Sequence, residues 1–169
     1  TAAMTWLGQQ KETLFIGQSV EYPGTALYDT LSGVDIKQKT EVPIIEDSTI
    51  GFSIGLSLQG FFPIVILPRF NFVLLATNQI VNHLNRLEEI SHGEYNPRII
   101  IRTAIGSERP LFPGKQHLGD YCDAFRLMCK NIDVHRLDEP EHVNYTYQKA
   151  YNSNKSSLIV EWADYYSEK

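Results

Sequence analysis

Apolar residues along this chain gather in short runs separated by polar, turn-forming stretches. Runs at 13–17, 42–45, 62–67, 98–102, 134–137 and 158–160 read as six strands. Several are continuous rather than alternating, which is the pattern of strands covered on both faces. Helical periodicity fills the gaps between them. Asp47 or Ser48 can cap a helix running to about Gln59, with Gly60 as its stop signal. Asn71 can cap another to about Arg86, placing Phe72, Leu75, Ala76, Gln79, Ile80 and His83 on one face. A helix from Asp120 turns Tyr121, Phe125, Met128 and Cys129 inward, and Pro140 opens another to about Tyr151. Residues 105–119 carry three Gly and two Pro and read as a long loop. Strands alternating with helices predict an α/β fold: a doubly wound, mostly parallel sheet flanked by helices on both faces.

A length of 169 residues predicts a single domain spanning 1–169, and 43% hydrophobic with 21% charged residues suffices for one core. The net charge of −5 is spread without blocks, so no nucleic-acid partner is expected. The longest apolar run, 61–67, is too short to span a membrane, and no membrane partner is expected. No basic segment followed by an apolar one opens the chain, so it shows no signal peptide. Cys122 and Cys129, seven positions apart on one predicted helix, lie roughly 10 Å apart along its axis and cannot pair. Two buried free thiols fit a reducing, cytoplasmic location.

Several motifs are missing. There is no Gly-x-Gly-x-x-Gly after the first strand, no Gly-Lys-Ser/Thr phosphate loop and no Gly-x-Ser-x-Gly elbow. Gly119-Asp120 is followed by Tyr121 and reads as a helix cap, so no metal site is expected in this chain. The chemistry-bearing pattern is elsewhere. Residues 42–45 end in Glu46 at a helix start, with Gly51 and Gly55 following. The next run ends in Pro68, Arg69, Phe70, Asn71 and Phe72. In parallel sheets ligands bind at the carboxyl ends of strands, where both clusters fall. Position alone leaves two readings of Glu46: a ligand-binding carboxylate, or an acid that complements the helix dipole.

Taken together these residues resemble the pyrimidine-binding domain of thiamine-diphosphate enzymes. The resemblance is closest to the beta subunit of 2-oxoacid dehydrogenases, within the transketolase-like superfamily. Residues 17–20, Gly-Gln-Ser-Val, resemble the end of that family's opening strand. Residues 43–46, Pro-Ile-Ile-Glu, resemble its Pro-Ile-Ser-Glu segment. Gly51, Gly55 and Gly60 stand where it has glycines, and 62–64 resemble its Arg-Pro-Ile strand start. Phe70-Asn71-Phe72 matches Phe-Asn-Phe, and 79–82 resemble Asp-Gln-Val-Ile-Asn. Gln116-His117 resembles a pair in the active-site loop, and 158–161 the final strand.

The resemblance implies a catalytic role for Glu46, bonded to the aminopyrimidine nitrogen of thiamine diphosphate. Protonating that nitrogen favours the tautomer that removes the thiazolium proton. It implies a pyrimidine pocket of Glu46, Phe72, Phe70 and Pro68, with Phe72 stacked on the ring, and His117 near the substrate. Phe70 and Phe72 also read as core. Gly51 and Gly55 allow close helix packing, within the domain or across a subunit interface. The diphosphate-binding and carboxy-terminal domains of such enzymes have no counterpart here. Either a longer protein was cut or the system is split into small subunits; in the second case the resemblance implies a diphosphate-binding alpha-type partner that carries the magnesium, and a homodimer or hetero-oligomer. The implied reaction is 2-oxoacid decarboxylation with acyl transfer. Ketol transfer and a non-catalytic assembly module are the alternatives. Ser48 departs from the family, replacing a usual glycine, and 118–120 depart from its Ser-Gln.

Overall fold

The computed structural model describes residues 1–106 and 112–167. Six strands form one all-parallel sheet: β1 (Thr13–Gly17), β2 (Lys39–Glu41), β3 (Phe62–Ile66), β4 (Ile100–Ile105), β5 (Ile132–Leu137) and β6 (Ser156–Trp162). Their order is β2-β1-β3-β4-β6-β5. The helices are α1 (Ala2–Gly8), α2 (Ala26–Asp29), α3 (Glu46–Leu58), α4 (Phe70–Val73), α5 (Leu87–Ile90), α6 (Cys122–Met128) and α7 (His142–Asn152). One face of the sheet packs against α3, α4 and α6 through Ile50, Val65, Phe70, Phe125 and Leu158. The other packs against α1, α2 and α7 through Leu7, Phe15, Leu31, Ile64 and Tyr147. The doubly wound α/β expectation holds. Strands β3 and β4 are buried at every position, as expected of strands covered on both sides.

The second strand lies three residues earlier than the sequence suggests. Residues 42–45 are not in the sheet; Pro43 has no N–H to give a ladder, and Ile44 is 78% exposed. The true edge strand is the polar Lys39-Thr40-Glu41, and charges on an edge strand discourage further pairing. The predicted helix over 71–86 is also broken. Arg69, not Asn71, precedes α4, a 3₁₀ turn follows at Leu74–Ala76, and a π-helical segment spans Gln79–Leu84. The buried positions are Phe70, Val73, Ala76, Ile80 and Leu84, spaced three, three, four and four apart. The tighter turn and then the wider one carry that face. Leu75 and His83, expected inward, are exposed.

Helix α3 starts at Glu46 itself with Ile45 as its N-cap, two or three residues before the expected caps. It ends as expected: Gly60 adopts a φ of 92°, the left-handed conformation that closes helices at glycine. Tyr121 precedes α6, where Cys122 and Phe125 are buried and Met128 is exposed, against expectation. Helices α1 and α2 were not foreseen. The loop expected at 105–119 contains a 3₁₀ turn at Lys115–His117, and its residues 107–111 lie outside the described residues. Among the described residues no helix is long and apolar enough to cross a membrane.

Candidate functional site

The topology singles out one place on the sheet. From β1 the chain moves outward to β2, then returns through α3 to β3 on the other side of β1. The winding direction reverses between β1 and β3, where open α/β sheets hold their ligands. Gly17 closes β1 there, paired with Ile66. A Cβ on Gly17 would stand 2.1 Å from the Ile66 carbonyl oxygen, and its φ is 143°. Only glycine permits this approach of β1 to β3.

Glu46 sits beside this point, on the first turn of α3. It is 4% exposed, although Pro43, Ile44 and Ile45 before it are exposed. Its Oε1 is fully buried with no hydrogen-bond partner. Among the described residues five side-chain atoms share that condition, and this is the one carboxylate oxygen among them. An unsatisfied buried acceptor costs about 1–3 kcal/mol, and more for a charged group. The helix dipole offsets part of that cost for the two acids of the first turn, Glu46 and Asp47. Asp47 is better served: Gln79 Nε2 donates to its Oδ2 at 3.3 Å, tying α3 to the π-helical segment. A hydrogen-bond donor brought by a ligand would satisfy Glu46.

The loop leaving β1 is held by a residue that the sequence reading missed. Glu41, at the end of β2, accepts backbone N–H bonds from Ser19 at 3.0 Å, Val20 at 2.6 Å and Glu21 at 3.0 Å. Glu21 Oε1 in turn accepts from the Glu41 N–H at 3.1 Å. Ser19 is left with a φ of 60°, unusual for a residue with a Cβ. Within this loop Gln18 is buried, and its Nε2 is a second polar atom without a partner. Gly51 and Gly55 are not demanded by packing inside the chain. A Cβ on Gly51 would make ordinary contact with Gln79, and one on Gly55 would meet nothing within 4 Å.

Beyond β3 the structure brings His117 and Phe72 together. Their rings meet edge to face with centroids 5.7 Å apart, and His117 Nδ1 lies 3.1 Å from Asn71 Oδ1. Phe72 and Pro68 are half-buried. Phe70 is placed differently. It is fully buried, stacked 5.7 Å from Phe125 and edge-on to Tyr121 at 5.4 Å. That ring belongs to the core, where its burial contributes about 1.5–3 kcal/mol. The thiols take no part. Burial pushes Cys122 up to about 12, with help from Asp120, and Cys129 up to about 11, so both stay protonated near neutrality. Asp120 stands one residue before the N-cap Tyr121, not at the cap expected of it, and accepts from the Cys122 N–H at 2.9 Å. Among the described residues no cluster of His, Cys, Asp or Glu is suited to a metal.

A solved structure repeats this architecture. The split-gene transketolase described as an inactive beta4 tetramer superposes with a TM-score of 0.69, covering 96% of this chain and 49% of that one. Its identity of 18% makes it a likeness of fold. Sequence relatives carry the comparison further. The pyruvate dehydrogenase E1 component subunit beta of Cyanidium caldarium is 32% identical over 109 residues, 62% of this chain and 33% of that protein. The subunit of the same name from Gracilaria tenuistipitata var. liui is 29% identical over 121 residues, 72% of this chain and 36% of that protein. The fold and these relatives support a transketolase-like pyrimidine-binding domain, at partial identity. The chain spans about a third of the length of these curated relatives. No family model matches it.

Proposed function

We propose that this chain supplies the catalytic carboxylate and the aminopyrimidine pocket of a thiamine-diphosphate active site. The enzyme would decarboxylate a 2-oxoacid and pass on the acyl fragment. The observation that carries the reading is the unpartnered, buried Oε1 of Glu46 at the switch point of the sheet. The aminopyrimidine suits such a group, because its ring nitrogen can share a proton with a carboxyl oxygen. Bound thiamine diphosphate would supply the nucleophilic carbon and the electron sink that cleavage next to a carbonyl requires.

Each residue of this chain then has a definite task. Glu46 holds a proton at the carboxyl oxygen that faces the pyrimidine nitrogen. Phe72 lies against the ring and fixes its plane, with Pro68 beside it. His117 faces the substrate. The diphosphate and its magnesium would belong to an alpha-type partner. Exposed apolar surface supports assembly. Phe52 on α3 is 61% exposed and Leu75 beyond α4 is 64% exposed, with the uncrowded Gly51 and Gly55 on α3. A second copy or the partner would cover these residues.

The test is turnover in the complex reconstituted with the diphosphate-binding partner. Glu46→Gln keeps the shape and removes the acid, so turnover of a 2-oxoacid should fall by about 10²–10⁴-fold while the assembled mass is unchanged. Unchanged turnover would remove Glu46 from the mechanism. Turnover of a ketose donor instead of a 2-oxoacid would move the chain to ketol transfer.

A further inference from the structure

His117 is held by hydrogen bonds on both ring nitrogens. Its Nδ1 lies 3.1 Å from Asn71 Oδ1, and its Nε2 lies 3.2 Å from Gln116 Nε2. A carboxamide oxygen only accepts, so the nitrogen facing Asn71 must carry the hydrogen. A carboxamide nitrogen only donates, so the nitrogen facing Gln116 must offer its lone pair. One neutral tautomer satisfies both contacts: Nδ1–H with a free pair on Nε2. The Phe72 ring stands edge to face against the imidazole at 71°, closing off rotation on that side. The two holders differ. Asn71 is half-buried at the start of α4, fixed to the fold 46 residues from His117. Gln116 is exposed, adjacent in sequence and easily displaced.

We propose that Asn71 is a positioning residue that holds His117 in the Nδ1–H tautomer and presents its Nε2 as a hydrogen-bond acceptor toward the substrate. This rests on the reading above that His117 faces the substrate. A 2-oxoacid arrives with acceptors only, so the group that would replace the Gln116 amide at Nε2 is the hydroxyl its keto oxygen becomes as the reaction proceeds. The residue that sets a histidine's tautomer is the one bonded to its other nitrogen, and here that residue is Asn71. The position is economical in sequence: Asn71 sits between Phe70, which belongs to the core, and Phe72, which meets the imidazole.

Long-range ¹H–¹⁵N correlation on the ¹⁵N-labelled chain reads the tautomer directly. It is done at about pH 8.5, two units above the ordinary imidazole value. The His117 signals are assigned by their loss in His117→Gln. The wild-type chain should show Nδ1 protonated and Nε2 bare. Asn71→Ala should shift the balance toward Nε2–H, the form that free imidazoles favour. A residue that merely supports the fold would leave the tautomer balance unmoved. In the reconstituted complex Asn71→Ala should lower kcat with KM nearly unchanged. Wild-type His117 protonated on Nε2, which both amides reversed would produce, overturns the proposal. So does an Asn71→Ala chain that keeps the Nδ1–H form, or one that keeps full kcat in a complex whose turnover still requires Glu46. Turnover indifferent to Glu46 would instead overturn the proposed function, and the tautomer readout would then decide Asn71 alone.

Discussion

Two buried carboxylates stand on opposite faces of this sheet, and they are treated in opposite ways. Glu161, on β6, is 5% exposed, and Glu46 is 4% exposed. Glu161 takes a bidentate pair from Arg102 on β4, Nε at 2.9 Å and Nη2 at 2.8 Å. The hydroxyls of Tyr147 and Tyr166 donate to it as well, and Arg102 Nη1 donates onward to Thr30 at 2.9 Å. Burial alone would raise the Glu161 carboxyl, but the Arg102 charge and these donors hold it below the ordinary value. Burial likewise opposes the charge on Arg102, yet Glu161 keeps its pKa well above the ordinary range. Glu46 has equal burial and an oxygen with no donor. A carboxylate with every lone pair engaged is part of the scaffold. In the proposed function, the unengaged Glu46 oxygen awaits a donor that a ligand brings.

The contrast can be broken first on the scaffold side. Arg102→Met should destabilise the chain by about 3–5 kcal/mol, because it strands the Glu161 charge in the interior. Urea denaturation measures this, and a loss below about 1 kcal/mol would show the pair to be dispensable. A smaller effect is expected at the loop clamp. Glu41→Ala removes three N–H bonds to a carboxylate and should cost about 1.5–3 kcal/mol. Faster amide exchange at Ser19, Val20 and Glu21 would locate the loss, and unchanged exchange there would exclude the clamp. A graded effect follows from acid. The Glu161 carboxyl is lowered in the fold, so its contribution is complete above the ordinary value of 4.5. It is lost as pH falls from there through the lowered value. Glu161→Gln should flatten that part of the stability profile.

The parallel sheet was readable because β1, β3 and β6 hold continuous apolar stretches at 14–16, 62–66 and 158–160, and another, 99–101, leads into β4; a sheet covered on both faces buries such stretches. The edge was not readable. Lys39-Thr40-Glu41 has no apolar signal, whereas 42–45 has one and lies outside the sheet. Helix α1 carried a signal that went unread, Ala3, Met4 and Leu7 at helical spacing. The candidates Glu46, Phe72 and His117 come from ordered motifs, and of these the fold brings Phe72 to His117 across the loop. Glu41, Gln18 and the Asn71–His117 bond were not legible. Each acts through a partner distant in sequence or through the backbone of another strand, which no local pattern records. Phe70 shows the converse limit, since a motif position shared with Phe72 does not reveal which ring the core will take.

The most direct measurement compares the unfolding free energies of Glu46→Gln and Glu161→Gln in the chain by urea denaturation. The account predicts a loss of about 3 kcal/mol or more for Glu161→Gln, whose Arg102 partner is left charged and buried. It predicts a change within about 1 kcal/mol, or a gain, for Glu46→Gln, which gives up no hydrogen bond at Oε1. Equal losses in the two variants would mean that Glu46 is scaffold like Glu161, and would contradict its reservation for a ligand.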